Sequence, residues 1–305
     1  MEIRQFEAFV AIVETGSFTA AAERVSLTQS TVSQQIKALE EELGEALFVR
    51  SGRGVRLTDA GEHLLPGARL ILDSLDEISA AFKVAGRPSR GRLRVGAASM
   101  ATAYLFAPLY ERFIATHPNI QLLVRSTATT EETLRQVVSG EIDVGFIAVP
   151  VSNTSLVVEV VATDEVVLVV GPAHPWAGRT SIDPLELDGQ PMVAFERGMS
   201  HRRTMDTLFA EIGVAPRIVS ETNDPQMVKS LIEIGLGIAL IPRWAVAREA
   251  AANRLHVLTL GTHRLVRDVN MIYLKRHTSS VRTFTDFCRQ FKSSIGSGAA
   301  TAIAD

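Results

Sequence analysis

SFTAAAERVSLTQSTVSQQIKALEEELG, residues 17 to 44, reads as two helices separated by a short break. Ser17 is a candidate N-cap for the first, and Ala20, Ala21 and Ala22 have side chains small enough for another helix to cross closely. After the break at Ser26 and Leu27, the second helix places Val32, Ile36, Leu39 and Leu43 inward and ends at Gly44. Upstream, Ile3, Phe6, Phe9, Val10 and Val13 form the apolar face of a further helix that Gly16 ends. Short helices joined by a tight turn, the last exposing small polar groups, predict a helix-turn-helix.

Thr28, Gln29, Ser30, Ser33, Gln34 and Lys37 are the polar positions near the start of that last helix, with Ser17 beside them at the preceding helix start. Gln pairs with adenine, Ser and Thr hydrogen-bond several bases, and Lys37 reaches a phosphate. Glu40, Glu41, Glu42 and Glu45 follow and phosphates repel them, so only the first two turns are expected to enter a groove. LFVRSGRGVRLT, residues 47 to 58, then alternates apolar and basic residues around Gly52 and Gly54, as a hairpin wing would, offering Arg50, Arg53 and Arg56 to the DNA backbone. Each feature alone fits a merely solvated surface; their order favours a DNA-reading head. The formal charge of −3 gives no global attraction for nucleic acid, so the local basic surface has to supply it.

From Thr58 a long helix is expected, with Asp59 and Glu62 in its first turn. Leu64, Ala68, Ile71, Leu75, Ile78 and Phe82 recur along it at alternating spacings of four and three, a heptad seam that pairing with a second copy would bury. The alternative is burial against the same chain's C-terminal domain. GRPSRGR, residues 86 to 92, reads as a linker. The single cysteine, Cys288, excludes an intrachain disulfide, and neither a signal peptide nor a membrane span is visible, so the cytoplasm is the expected compartment. GSGAATAIAD at the end, small and polar, is expected to be disordered from residue 294.

The remaining two thirds alternate strand and helix. LRVGAA, TAYLFAPLYERFIATHP, IQLLVRS, TEETLRQVVSG and IDVGFIAV make a βαβαβ run, and QPMVAF, SHRRTMDTLFAEIG, RIVSE, DPQMVKSLIEIG and GIALIP repeat it. Two such lobes leave a cleft, and ligands of α/β folds bind beyond the carboxyl ends of strands. The candidates there are Ser99, Met100, Thr102, Thr127, Thr129, Thr130, Ile147 and Ala148 from one lobe, and Phe195, Ser200, His201, Arg202 and Arg203 from the other. Hydroxyls, helix starts and an arginine point to an anionic small-molecule effector, although capping is the commonest job of Ser and Thr. Adjacent on a helix, Arg202 and Arg203 cannot both face the cleft.

An enzyme is the competing reading for α/β lobes. The seven histidines are scattered without metal-ligand spacing, no phosphate loop is present, and no cofactor is expected. HPWAG, with His174 and Trp176, reads as a surface turn, and Cys288 among Phe284, Phe287 and Phe291 as a buried hydrophobe, with a redox thiol as the alternative. A pure solute-binding module would need an export signal and no reading head.

SFTAAAERVSLTQSTVSQQIKALEEELGEALFVR and RLTDAGEHLLPGA together resemble the LysR-type transcriptional regulators, and the similarity extends more loosely to about residue 293. The expected fold class is α/β overall: an N-terminal all-α winged helix-turn-helix (1–58), a long linker helix and hinge (59–90), and a two-lobed α/β periplasmic-binding-protein-like domain (91–293). Lobe I would take about 91–162 and 266–293, lobe II about 163–265. The resemblance implies a homodimer with frequent assembly into tetramers, a double-stranded DNA operator, a small-molecule effector, RNA polymerase as a further partner and no membrane. It also implies that Ser99 and Thr130 occupy positions that contact effectors in several members. Ala148 stands where some aromatic-acid-responsive relatives carry an arginine, so their ligands do not carry over. Activator and repressor both remain open.

Overall fold

A computed structural model of the chain describes residues 1–51, 54–82, 91–98 and 101–298. The head consists of α1 (Ile3–Thr15), α2 (Phe18–Arg24), α3 (Gln29–Leu43), β1 (Phe48–Ser51) and β2 (Gly54–Leu57), followed by the 24-residue helix α4 (Asp59–Phe82). Gly16 and Gly44 end α1 and α3 in the left-handed region that favours glycine. Phe9, Ile12, Val32, Leu39 and Leu47 fill the head's core, whereas Ile3 and Leu43, expected inward, are exposed because each lies at a helix end beyond the contact zone. β1 and β2 pair antiparallel, Phe48 opposite Leu57, as the wing requires. Gly61 lets α4 approach that wing: a Cβ there would lie 2.4 Å from the Leu47 carbonyl.

The apolar stripe of α4 divides. Ala68 is fully buried in the head's core and Leu64 packs against it, so these two positions, expected in a dimer seam, are used within the chain. The reason is that α1 lies alongside the first turns of α4 and takes their apolar face. Ile71 and Ile78 are exposed and Leu75 is half-buried, leaving the second half of the seam open. Phe82 ends the helix.

The C-terminal part runs β3 (Gly91–Ala98), α5 (Ala107–Thr116), β4 (Ile120–Thr127), α6 (Thr130–Val138), β5 (Val144–Ile147), β6 (Leu156–Val170), β7 (Ser181–Ile182), β8 (Pro191–Phe195), α7 (Ser200–Ile212), β9 (Arg217–Thr222), α8 (Pro225–Glu233), β10 (Ile238–Pro242), α9 (Ala247–Ala251), β11 (His256–Leu260), β12 (Leu265–Leu274) and α10 (Ser279–Gly298). The helix expected from Thr102 is interrupted: Ala101–Leu105 is a π-helical turn and α5 starts only at Ala107, with Pro108 in its first turn.

β3 pairs parallel with β4 and β5, and β8 with β9 and β10, as the two βαβαβ runs predict. The sheet is nevertheless mixed, because the 15-residue β6 and the ten-residue β12 cross from one lobe to the other and pair antiparallel with each other and with their neighbours. Lobe I packs Phe106 on Phe146 with ring centres 4.0 Å apart and Phe113 edge-on to Phe284 of α10, which returns the chain's end to this lobe. Fully buried rings of this kind each contribute about 1.5–3 kcal/mol by apolar burial. α10 continues to Gly298, so residues 294–298 are helical and not the disordered tail expected; once the phenylalanines anchor a helix, each added residue costs no new nucleation. Residues 299–305 lie outside the described residues.

Candidate ligand cleft and DNA-reading face

Between the lobes lies a cavity of about 460 Å³. Leu105, Phe106, Phe146, Ile147, Val269 and Trp244 give it apolar walls. Thr127, Thr129, Thr130 and Thr133, at the end of β4 and the start of α6, give it one polar end. Thr129 caps α6, its Oγ1 accepting from Glu132 N at 3.1 Å, and the Thr127 and Thr133 hydroxyls share a hydrogen bond of 2.7 Å. Thr129 therefore does the capping that composition suggests while also lining the cavity.

Of the expected cleft residues, Thr127, Thr129, Thr130, Ile147, Ala148 and His201 line it. Thr102 lies in the π-helical turn and Ser200 opens α7, while Ser99 and Met100 lie outside the described residues. Phe195 and Arg202 are corrections. Phe195 is buried in lobe II, its ring edge-on to His201. Arg202 is 4% exposed and turned inward, donating to the Phe195 carbonyl at 2.9 Å, to Glu221 at 2.7 Å and to Asp206 at 2.9 Å. Its Nε and Nη1 are thus taken by groups of its own lobe, and the side chain is buried outside the lining of the cavity. Arg203, the exposed neighbour, reaches Glu131 on lobe I instead.

The charged residues that do line the cavity are Asp164, Glu196, Arg197 and Arg267. Register brings two of them together: Arg267 on β12 lies opposite Asp164 on β6, and its Nε donates to Asp164 Oδ2 at 2.7 Å. Trp244 Nε1 donates to the other oxygen at 2.8 Å, so the buried carboxylate is fully engaged. His201 Nε2 donates to the Leu240 carbonyl 2.8 Å away, because a carbonyl only accepts, so Nε2 carries the proton. Burial, with Arg267 nearby, pushes its pKa down to about 3, so the ring is neutral and Nδ1 is an acceptor.

In the head, α2 and α3 meet at the expected turn. Ser17 and Thr28 are their N-caps, with Ser17 Oγ accepting from Ala20 N and Thr28 Oγ1 from Thr31 N. Gln29, Ser30, Gln34 and Lys37 are exposed on α3 and Ser33 is half-exposed beside them, so one face carries the row. Lys37 lies 3.5 Å from Glu41. On the wing, Arg56 of β2 is exposed, Arg50 lies on β1 opposite Val55, and Arg53 lies outside the described residues.

Residues 3–62 match the bacterial regulatory helix-turn-helix of the lysR family, and residues 86–293 match the LysR substrate binding domain. The chain belongs to the LysR family of transcriptional regulators. A probable nitrogen assimilation transcriptional activator of Synechococcus elongatus is 33% identical over 95% of both chains. A full-length OxyR from Pseudomonas aeruginosa shares the fold with a TM-score of 0.77 over 97% of both chains at 22% identity. The regulatory domain of Synechocystis CcmR, in complex with 2-PG, overlays with a TM-score of 0.62 on 67% of this chain and 99% of its own, at 22% identity. This LysR-type regulator is thus a DNA-binding protein with an effector domain, and not an enzyme.

Cys288 is buried in the lobe I core that holds Phe284, and burial pushes its thiol well above the ordinary range, which favours the protonated form. No helix among the described residues is long and apolar enough to cross a membrane, and no described group of His, Cys, Asp or Glu is placed to hold a metal.

Proposed function

We propose that this regulator responds to a small organic acid held between its lobes. The observation that carries the reading is the cleft itself: apolar walls, with the Thr129–Thr130 start of α6 at one end and Arg267 on the crossing strand. Helix starts and guanidinium groups favour a carboxylate or similar anion, and the aromatic walls favour an apolar body. Arg202 lends no support, but Arg267 and the exposed Arg197 keep cationic groups at the site. That the CcmR regulatory domain was solved in complex with 2-PG agrees with a small molecule held in this domain.

On DNA, α3 enters the major groove with Gln29, Ser30, Ser33 and Gln34 at base edges, while Lys37, Arg50, Arg53 and Arg56 hold the backbone. The open half of the α4 seam, Ile71, Leu75 and Ile78, pairs with a second copy and sets two heads against a two-fold site. Pairing of such dimers into a tetramer, and contact with RNA polymerase, complete the reading. Effector binding favours one lobe closure and shifts head spacing, with coupling of about 1–3 kcal/mol. A calorimetric screen of organic acids, amines and neutral metabolites tests it: an acid is expected to bind with one site per chain and lose affinity in Arg267→Ala. Binding only by cations or neutral compounds would overturn the proposal.

A further inference from the structure

Five arginines converge where the head, α4 and lobe I meet. Arg24 ends α2, Arg69 projects from α4, Arg92 and Arg94 stand two residues apart on one face of β3, and Arg125 on β4 lies opposite Gly96, next in the same row. Together they line a cavity of about 460 Å³, distinct from the cleft between the lobes.

Their charges are only partly cancelled, although Glu14 and Glu141 also line the cavity. Arg94 is neutralised, since Asp73 lies 2.5 Å and Asp143 2.7 Å from its Nη2. Glu14 is shared by Arg24 and Arg69, and Glu141 also serves Arg135 at 3.3 Å. Among the described residues, no carboxylate pairs with Arg92 or Arg125, both exposed. Arg69 is the sharpest case. It is 7% exposed; Nη1 donates to the Ser139 carbonyl at 2.7 Å, Nη2 is 3.9 Å from Glu14, and Nε is buried with no partner. Burial lowers its pKa in spite of Glu141 and Glu14, so the nearby carboxylates do not offset its desolvation. An under-compensated buried cation is costly unless an anion joins it.

We propose that this cavity is a second ligand site, for a small phosphate-type anion: free phosphate or the phosphoryl group of a phosphomonoester. Several guanidinium groups from different directions suit a tetrahedral oxyanion, because each can donate to separate oxygens. The cavity is large enough for a phosphomonoester. Its arginines come from head, linker helix and lobe I, so the bound anion fastens the head to the effector domain and adds a second input to DNA binding.

The test is calorimetry on the full-length protein at constant ionic strength, titrating inorganic phosphate and glycerol phosphate separately against chloride buffer. Saturable binding is expected, weakened at least tenfold in the Arg92→Gln/Arg125→Gln double variant. Both positions are exposed, and a melting curve in chloride checks that the variant folds. Tighter binding of phosphate identifies the free ion as the source; tighter binding of glycerol phosphate identifies a metabolite. No saturable heat, or equal affinity in wild type and double variant, overturns the proposal. So does loss of DNA affinity in the variant without phosphate binding in the wild type, which would assign the arginines to the DNA backbone.

Discussion

Arg203 on lobe II and Glu131 on lobe I meet at 2.8 Å, beside the cleft and one residue from Thr130, which lines it. Glu131 stands in the first turn of α6, where its backbone N–H and the Arg203 guanidinium hold its carboxyl below the usual range. The far end of the same helix is gripped from α4, because the Ser139 carbonyl accepts from Arg69. α6 is therefore a rigid strut of nine residues, about 13 Å long at 1.5 Å per residue, with the cleft at one end and the linker helix at the other. A tilt of α6 on lobe closure has a direct path to the head.

Arg203→Ala is expected to loosen the clasp while leaving the fold intact. Both side chains are more than half exposed, so the pair contributes about 1 kcal/mol or less. Effector affinity is expected to fall by about twofold to fivefold, with the melting temperature nearly unchanged and a larger radius of gyration in solution scattering. Unchanged affinity and scattering would show that the clasp does not set lobe closure.

Arg69→Ala breaks the other end of the strut. It leaves the Ser139 carbonyl without its partner, at a cost of about 1–3 kcal/mol in urea denaturation in chloride buffer. The effector-induced change in operator affinity is expected to shrink in the same variant. Full retention of that change would mean that the signal bypasses α6.

How far the sequence disclosed this arrangement depended on the range of the interaction. The head was legible because its periodicity and its Ser17 cap act within one helical turn, whereas the capping role of Thr28 emerged only in the structure. Arg202 and Arg203 show the next difficulty: on a helix they point about 100° apart, and only the packing of α7 decides that one is buried in lobe II and the other crosses to Glu131. Asp164, Trp244 and Arg267 escaped notice altogether. Trp244 and Arg267 lie 80 and 103 positions from Asp164, and the antiparallel pairing of β6 with β10 and with β12 that brings them to it leaves no local trace. One signal was present: an acidic residue inside the apolar run LVVEVVATDEVVLVV needs a partner if buried.

That carboxylate gives the next prediction. Asp164→Asn removes the charge that balances Arg267 while preserving shape, and breaking a buried pair costs about 3–5 kcal/mol. The freed guanidinium faces the cavity, so the variant is expected to be less stable and yet to bind organic anions more tightly. Denaturation and calorimetry on one preparation check both parts; loss of stability with weaker anion binding would place Arg267 outside the ligand's reach.

His201 makes stability depend on pH. Its folded pKa of about 3 lies below the unfolded value of about 6.5, so the unfolded chain binds the extra proton between them. Its contribution is therefore complete above about pH 6.5 and lost as pH falls toward 3, with a loss of about 2 kcal/mol by pH 5. The unfolding free energy of the wild type is expected to drop over that range more than that of His201→Gln, whose amide can still donate to the Leu240 carbonyl. Parallel pH profiles would show that the imidazole titrates normally in the folded protein.

On DNA, two exposed residues are expected to separate sequence reading from backbone holding. Gln34 stands in the row on α3 with no described side-chain partner, whereas Arg56 projects from the wing strand β2. Gln34→Ala is expected to cost about 1–3 kcal/mol on the operator and to relax preference at one base pair, leaving non-specific binding unchanged. Arg56→Ala, by contrast, is expected to weaken every duplex alike and to reduce the slope of log affinity against log salt by about 1. Fluorescence anisotropy on operator and scrambled duplexes at several salt concentrations distinguishes the two, because a base contact changes the ratio of the affinities and a phosphate contact changes only their common salt dependence. If both variants altered the ratio equally, the division of labour between α3 and the wing would be wrong.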